Sequence, residues 1–204
     1  MLAADERTRH RRITQDPSVR SQQRINDSSM RDWFVEHGQG SGKQRHRALG
    51  EPPSGAHGTA NGPREPSKAL EAIILVRDRF HCRYCGIPVI TRKLLDAFGA
   101  CVGSVALPLG RRNSEKHGAA LVSQSVIDHV LPYQGGGETS LENLVTACWT
   151  CSFGKDRFTV SQLGLDDPRQ RAPIETSWDG LTSHLPNLVA VARRTIADRA
   201  PLDA

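Results

Sequence analysis

The sequence predicts an α+β fold: a small ββα unit held together by four cysteines, preceded by a disordered leader and followed by a C-terminal helix. Two C-x-x-C pairs frame the centre of the chain, and strand-like residues and a glycine-rich loop lie between them. Residues 38–66 are instead dense in Gly, Pro, Ser, Arg and His. Because only 37% of the 204 residues are hydrophobic and 5% aromatic, we do not expect a core that fills the whole chain.

The predicted leader, residues 1–66, can be interpreted as a nucleic-acid-binding arm or as a tail without specific contacts. The chain carries a formal net charge of +5 and a pI near 9.2, which favours contact with a polyanion. On the first interpretation, the leader is an arginine-rich arm that lies along nucleic-acid phosphates. Acidic residues are mixed through the leader, however, and this mixture favours a tail that contacts nothing in particular.

The composition also limits where the protein acts. The chain has no apolar run of about 18 residues, so we expect no transmembrane helix and no membrane partner. The charged N-terminal residues are not followed by an apolar stretch, which argues against a secretory signal. A cytoplasmic location follows as the expectation, and in a reducing compartment paired cysteines indicate metal or redox chemistry rather than disulfides.

Two helices and a long connection are predicted before the strands. Ser67 is suited to cap a helix with an apolar stripe that ends near Phe80. A second short helix is predicted over residues 91–98. Residues 99–120 contain Gly, Pro and the basic pair Arg111-Arg112 without a clear period, and are predicted to be an insertion or long loop.

The strand signals begin after residue 119. β-branched and aliphatic residues predict extended backbone, Pro132 ends the run, and three glycines predict a flexible loop. The remaining elements are strands at 121–122, 126–130 and 143–145, helices at 149–157 and 160–163, and a final helix over 185–199.

The four paired cysteines, Cys82, Cys85, Cys148 and Cys151, predict a structural zinc site. Two C-x-x-C knuckles supply the four thiolates of a tetrahedral Zn(II) shell, and Gly86 permits the tight turn after the first knuckle. The redox alternative needs one pair after a strand of a βαβ unit, which the sequence lacks. A four-thiolate shell has no open position, so this zinc is expected to hold the fold. Cys101 is predicted to be a partly buried free thiol.

The segment between and across the knuckles resembles the HNH endonucleases. It reads Asp128-His129, Pro132, a glycine-rich turn, Asn143, and then a C-x-x-C knuckle followed by Ser152 and Lys155. The zinc-containing, four-cysteine branch of that family carries D-H-x-x-P, glycines, asparagine and C-x-x-C-N/H-x-x-K in this order. The resemblance covers about residues 77–165 and implies a ββα-metal (HNH) domain at 67–165, with residues 166–204 as a C-terminal extension that carries one helix.

The residues of the motif fit phosphodiester hydrolysis. A neutral imidazole, with an ordinary pKa of about 6.5, is a suitable general base, a role predicted for His129. A carboxylate binds hard cations, so Asp128 is predicted to bind a catalytic Mg(II) or Mn(II). Neighbours on a regular strand face opposite sides, so the two side chains converge only at a strand end or bulge. The resemblance implies that Asn143 fixes the loop that orients the histidine.

Ser152 departs from the family pattern. The second cysteine of the knuckle, Ser152 and Lys155 recur at a spacing that puts them on one helix face. The family has His or Asn, a second ligand of the catalytic metal, where this chain has Ser152. Either Asp128, waters and substrate phosphates hold the metal, or the site is impaired. Lys155 is predicted to contact a nucleic-acid phosphate.

The sequence therefore predicts a metal-dependent endonuclease that hydrolyses phosphodiester bonds in double-stranded DNA. Two alternatives stay open. One is a catalytically degenerate HNH fold that acts as a zinc-stabilised nucleic-acid-binding module, which Ser152 favours. The other is a zinc-stabilised protein-interaction module, against which the intact Asp128-His129 pair argues. Sequence specificity, biological pathway and oligomeric state are not predicted.

Overall fold

The computed structural model describes residues 62–199, with side chains for 62–195. Of the predicted leader, residues 1–61 lie outside the described part, as do residues 200–204 of the predicted C-terminal extension. The described elements are α1 (Lys68–Arg77), α2 (Arg92–Val102), α3 (Gly118–Ser123), β1 (Ser125–His129), β2 (Leu144–Cys148), α4 (Trp149–Lys155) and α5 (Leu185–Arg199), with single 3-10 turns at Asn113–Glu115, Tyr133–Gly135 and Thr182–His184.

The two strands and α4 form the predicted ββα unit. β1 pairs antiparallel with β2, with Ser125 opposite Cys148 and His129 opposite Leu144. Every residue of β2 is buried, which explains why all of them except Thr146 are apolar. α4 follows β2 directly, and the Cys148 Sγ accepts a hydrogen bond from the Cys151 N–H at 3.3 Å. The same cysteine thus ends a strand and caps a helix, and the α+β prediction is confirmed.

α1 packs on β2 through a buried carboxylate. Asp78, at the C-terminus of α1, accepts a hydrogen bond from the Thr146 N–H at 2.7 Å and is 1% exposed. The Arg77 guanidinium donates to this carboxylate and to the Leu144 carbonyl. These bonds satisfy polar groups that burial would otherwise leave unpaired. Ser67 caps α1 as predicted, with its Oγ accepting from the Leu70 N–H.

Part of the predicted 99–120 loop is helical. α2 continues through Gly99 to Val102, beyond the predicted end at residue 98. A Cβ on Gly99 would lie 2.7 Å from the Leu109 Cδ1, so this glycine lets the following loop pack closely on the helix. The residue therefore serves packing, although from sequence it resembled a helix breaker.

α3 corrects the strand predicted at Leu121 and Val122. The His117 side chain accepts a hydrogen bond from the Ala119 N–H at 3.1 Å and thereby caps a short helix. Leu121 and Val122 are 2% and 4% exposed on this helix. Their aliphatic character, which predicted extended backbone, instead serves a buried helix face.

The C-terminal part contains the predicted helix and one further correction. α5 has the predicted bounds and packs against α2, where the Cys101 Sγ donates to the Leu188 carbonyl at 3.3 Å. Cys101 is a half-buried free thiol, as predicted. Residues 160–163 form turns rather than a helix, and they are followed by Gly164 with a φ of +63°, a conformation that does not continue a helix. Within the described residues, no helix is long and apolar enough to cross a membrane.

Candidate active site

The four paired cysteines come together as a metal-binding cluster. Their Sγ atoms all lie within 4.8 Å of one another, and the Cys85 and Cys148 sulfurs are 3.8 Å apart. A zinc–sulfur bond of about 2.3 Å requires a separation of about 3.8 Å between sulfurs at the corners of a tetrahedron. The donor set and the spacing therefore fit a tetrahedral thiolate metal site.

Local structure explains how the two knuckles meet. In the first, Gly86 has a φ of +78° and its N–H donates to the Cys82 carbonyl at 2.8 Å, the turn that glycine was predicted to permit. The Arg83 N–H donates to the Thr146 carbonyl at 2.8 Å, which places this knuckle beside β2. The second knuckle is the junction of β2 and α4. Backbone hydrogen bonds thus assemble the cluster from segments 63 positions apart.

The electrostatics of the cluster favour a bound cation. Hydrogen bonds from the sulfurs of Cys148, Cys82 and Cys85, followed by burial, raise the pKa of Cys151 well above its ordinary value of 9.0. Burial would also raise the pKa of Cys82, but hydrogen bonds from the other three sulfurs bring it well below the ordinary value, so the protein alone does not hold all four thiols ionised. Four thiolates in one buried place need a compensating positive charge, which a divalent metal supplies.

Three donors hold the Asp128 carboxylate. The Tyr84 hydroxyl donates to Oδ2 at 2.7 Å, and the Ser152 hydroxyl donates to Oδ1 at 3.0 Å. The Lys155 Nζ lies 3.3 Å from Oδ2. Asp128 is 9% exposed, so these partners replace most of its water. Ser152 thus contacts the carboxylate that was predicted to bind the catalytic metal.

Tyr84 connects the metal-binding cluster to Asp128, a role that the sequence did not indicate. Burial, together with the charge and the hydrogen bond of Asp128, raises the pKa of Tyr84 well above its ordinary value of 10.0. The phenol therefore keeps its proton and donates a hydrogen bond to the carboxylate. The one available signal was its position between Cys82 and Cys85. Because this knuckle lies beside the two-stranded sheet, Tyr84 lies there as well.

Lys155 is directed inward. Its side chain is 2% exposed, and its ammonium donates to the His129 carbonyl at 2.7 Å while it pairs with Asp128. A buried ammonium needs such partners, because an unpaired one carries a large desolvation cost. As predicted, the second knuckle, Ser152 and Lys155 share one helix face, and this face is turned towards β1. The nucleic-acid contact predicted for Lys155 stays a prediction.

His129 is oriented by a hydroxyl on the loop between the strands. Its Nε2 lies 3.0 Å from the Thr139 Oγ1, and the Thr139 hydroxyl donates its proton to the Arg64 carbonyl at 3.2 Å. A hydroxyl has one proton, so Thr139 accepts from the imidazole. The neutral ring then carries its proton on Nε2 and has its lone pair on Nδ1. Tyr133 packs edge-on against the ring, with centroids 5.8 Å apart.

The surroundings keep His129 neutral. Its pKa lies below the ordinary value of 6.5, chiefly because burial disfavours the charged ring. The negative charge of Asp128 opposes this effect, whereas the positive charges of Lys155 and Arg64 add to it. A neutral imidazole at neutral pH is the form that accepts a proton.

Asn143 holds the loop that follows β1. Its side-chain amide donates to the carbonyls of Leu131 and Glu138 at 3.0 and 2.9 Å, and its Oδ1 accepts from the Leu131 N–H at 2.9 Å. Gly137 permits this closure, since a Cβ there would lie 1.8 Å from the Leu131 carbonyl oxygen. These hydrogen bonds tie together the two ends of the loop, and the role in orienting the histidine that the resemblance implies for Asn143 stays a prediction.

A pocket wraps around the end of β1, where the two motif residues converge. Asp128 and His129 are the last two residues of a regular strand, so their side chains leave it on opposite faces. Both nevertheless line the same pocket at the end of the strand. The lining residues are Arg64, Asp128, His129, Pro132, Tyr133, Gln134, Lys155, Asp156 and Arg157.

Comparison with known proteins gives one match. The family model for the HNH endonuclease matches residues 113–152, a segment that runs from the turn before α3 into α4. No curated protein and no solved structure matches the chain. The matched segment contains Asp128, His129, Asn143 and the second knuckle, which the fold brings together with the first knuckle as four cysteines placed to bind a metal. Residues 113–152 therefore resemble an HNH endonuclease domain, and the four cysteines placed to bind a metal are consistent with the zinc-containing branch of that family.

Proposed function

We propose that the protein is a metal-dependent endonuclease that hydrolyses phosphodiester bonds in double-stranded DNA in the cytoplasm. One observation carries this proposal: a neutral imidazole and a firmly held carboxylate line one pocket at the end of β1, inside the segment that matches the HNH endonuclease family. Hydrolysis of a phosphodiester requires a base for the attacking water and positive charge beside the phosphate. The pocket provides the base, and it can bind a cation that supplies the positive charge.

His129 is the general base of this proposal. Its Nδ1 lone pair accepts the proton of the attacking water, while Thr139 and Tyr133 keep the ring in place. Asn143 acts through the loop that it fixes, and is a positioning residue. Because the ring is neutral at neutral pH, no proton has to leave it before it acts as a base.

Asp128 is the proposed ligand of the catalytic cation. A carboxylate offers about four lone-pair sites, and the three donors that hold Asp128 leave space for one more ligand. Oxygen donors of this kind suit Mg(II) or Mn(II), which would supply positive charge next to the phosphate. Ser152 remains a weak candidate ligand, since its hydroxyl is already bonded to Asp128.

Zinc is the proposed metal of the cysteine cluster. The four-thiolate set with sulfurs within 4.8 Å fits tetrahedral Zn(II), and all four positions are taken by protein. This metal therefore stabilises the fold and takes no part in hydrolysis. The predicted domain limits of residues 67–165 belong to the same proposal, since both knuckles and the pocket lie within or beside them.

A plasmid-cleavage assay tests the endonuclease. Purified protein with Mg(II) or Mn(II) is expected to convert supercoiled plasmid to nicked or linear forms, and His129→Ala to reduce the rate at least 100-fold, the usual contribution of a general base. His184→Ala is the matched control, because His184 is exposed and lies outside the pocket. Equal cleavage by the parent and by His129→Ala would rule out the assigned base.

A second function, DNA binding without cleavage, is favoured by Ser152 alone. Where the family has a stronger ligand, this chain has a hydroxyl bonded to Asp128. A binding module would retain salt-dependent affinity for DNA and give no cleavage products. Ser152→Asn distinguishes the two: a large gain in cleavage means that the natural site is weakened, whereas an unchanged, metal-dependent rate means that serine suffices.

A further inference from the structure

Two exposed arginines from distant parts of the chain line the candidate active site. Arg64 precedes α1 and Arg157 follows α4, yet both line the pocket that contains Asp128 and His129. Both side chains are exposed, so their guanidinium groups face solvent rather than the core. Lys155, which also lines this pocket, is instead 2% exposed and paired with Asp128. The accessible positive charge at the pocket is therefore supplied by the two arginines.

Hydrogen bonds fix the backbone that carries Arg64. The Tyr133 hydroxyl donates to the Gly62 carbonyl at 2.6 Å, and the Thr139 hydroxyl donates to the Arg64 carbonyl at 3.2 Å. Residues 62–64 thus lie along the loop that follows β1, against the two residues that contact His129.

An unusual backbone conformation directly precedes Arg157. Asp156, at the C-terminus of α4, has a φ of +50° and a ψ of −129°, although it is not a glycine. Such a conformation persists only where the surroundings impose it, and it is frequent at functional sites. It ends the helix and turns the chain, so that Asp156 and Arg157 both line the pocket.

We propose that Arg64 and Arg157 form a clamp for the DNA backbone, with residues 62–64 as a built part of the active site. A planar guanidinium binds phosphate oxygens with two parallel hydrogen bonds, and two such groups in one pocket can together hold a phosphate backbone there. The inference rests on the proposed endonuclease function and assigns it phosphate-binding residues. They hold the scissile phosphate, or one next to it, between His129 and Asp128.

Salt-dependent DNA binding tests the clamp separately from cleavage. The full chain with His129→Ala, which keeps bound DNA intact, is titrated against a fluorescent double-stranded oligonucleotide at several salt concentrations. Each lost phosphate contact lowers the slope of log K against log salt by about 0.9, so Arg64→Gln and Arg157→Gln should each do so, and the double variant by about 1.8. We expect roughly tenfold weaker binding for each single variant.

Two matched variants control for charge. Arg111→Gln removes the same charge from an exposed arginine outside the pocket and should leave the slope unchanged. Arg64→Lys keeps a positive charge and should retain most of the slope. If Arg111→Gln lowers the slope as much as Arg64→Gln does, or if neither pocket variant changes it, the clamp is wrong while the nuclease stands. If the parent binds no DNA, the proposed function itself fails.

Discussion

Asp128 illustrates how single residues of this site depend on one another. Its carboxylate accepts hydrogen bonds from Tyr84 of the first knuckle and from Ser152 of α4. Partners of this kind fix the orientation of a metal-binding carboxylate, and their loss typically weakens metal binding by 10- to 100-fold. Tyr84 is the partner whose removal is cleanest, since phenylalanine keeps the ring and removes only the hydroxyl.

Tyr84→Phe should therefore raise the Mn(II) concentration that gives half-maximal cleavage by roughly 10-fold or more, and change the rate at saturating metal much less. The measurement is a metal titration of plasmid nicking, with the zinc content of each variant determined alongside. An unchanged titration with unchanged zinc would mean that the tyrosine only packs.

The pH profile of cleavage should report on His129. A general base must be deprotonated, so the rate rises about tenfold per pH unit below its pKa and becomes level above it. Burial lowers this pKa below 6.5, which places the inflection on the acid side of that value and leaves the base fully active at neutral pH. Single-turnover rates from pH 5 to 8 measure it. A rate that still climbs tenfold per unit above pH 7 would contradict the assignment.

At this scale the sequence indicated only residues that are adjacent to one another or regularly spaced. Asp128 and His129 are neighbours, and Asn143 follows them in the order seen in the HNH motif. Tyr84 lies 44 positions from Asp128, and Arg64 lies 75 positions from Thr139, so their contacts depend on tertiary structure that no local pattern encodes.

Among the elements, the connection between β1 and β2 has the narrowest tolerance. Gly137 lies against the Leu131 carbonyl, where a Cβ would come within 1.8 Å of the oxygen and 2.7 Å of the Asn143 Nδ2. Backbone atoms at such a distance must move to admit a methyl group. The added group therefore displaces the loop that carries Thr139, the partner of His129.

Gly137→Ala should lower the cleavage rate by at least tenfold and the melting temperature by several degrees, since overpacking costs about 1–3 kcal/mol. Gly135→Ala is the matched control in the same loop, because a Cβ there would lie 4.0 Å from its nearest neighbour. Thermal melts and nicking rates of the two variants give the comparison, and equal losses in both would contradict the steric argument.

The elements that were predicted correctly have strong local signals. α1 has its serine cap, and α5 has apolar residues at helical spacing over its whole length. The failures lie where packing decides. Leu121 and Val122 are apolar in either a strand or a buried helix, and only the His117 cap and the surrounding core select the helix. From the sequence alone, Gly99 indicates the end of a helix. In the structure Leu109 packs against this glycine and the helix continues.

At the scale of the whole molecule, the metal-binding cluster joins two parts of the chain that are far apart in the sequence. Cys85 and Cys148 are 63 positions apart, and the segment between them contains α2, α3 and both strands. Structural zinc contributes about 10–16 kcal/mol, which equals or exceeds the 5–15 kcal/mol by which a typical domain is stable. The fold should therefore depend on this metal.

Removal of zinc should unfold the domain. We expect a strong chelator to abolish the cooperative thermal transition, and Zn(II), but not Mg(II) alone, to restore it. Cys148→Ser should bind less than one zinc per chain and show the same loss, whereas Cys101→Ser keeps its zinc because Cys101 is outside the cluster. A chelated protein that melts like the parent would show that the cluster is dispensable.

The alternation of side chains along β1 has a thermodynamic consequence. Asp128 is held by Tyr84 from one side, and His129 is held by Thr139 from the other, and Tyr84 and Thr139 share no hydrogen-bonding partner in the described structure. Substitutions in separate networks contribute independently, within about 0.5 kcal/mol. A double-mutant cycle of Tyr84→Phe and Thr139→Val, measured on the activation free energy, should therefore close with almost no coupling. The link that remains between the two residues is Lys155, which pairs with Asp128 and donates to the His129 carbonyl, and neither substitution removes it.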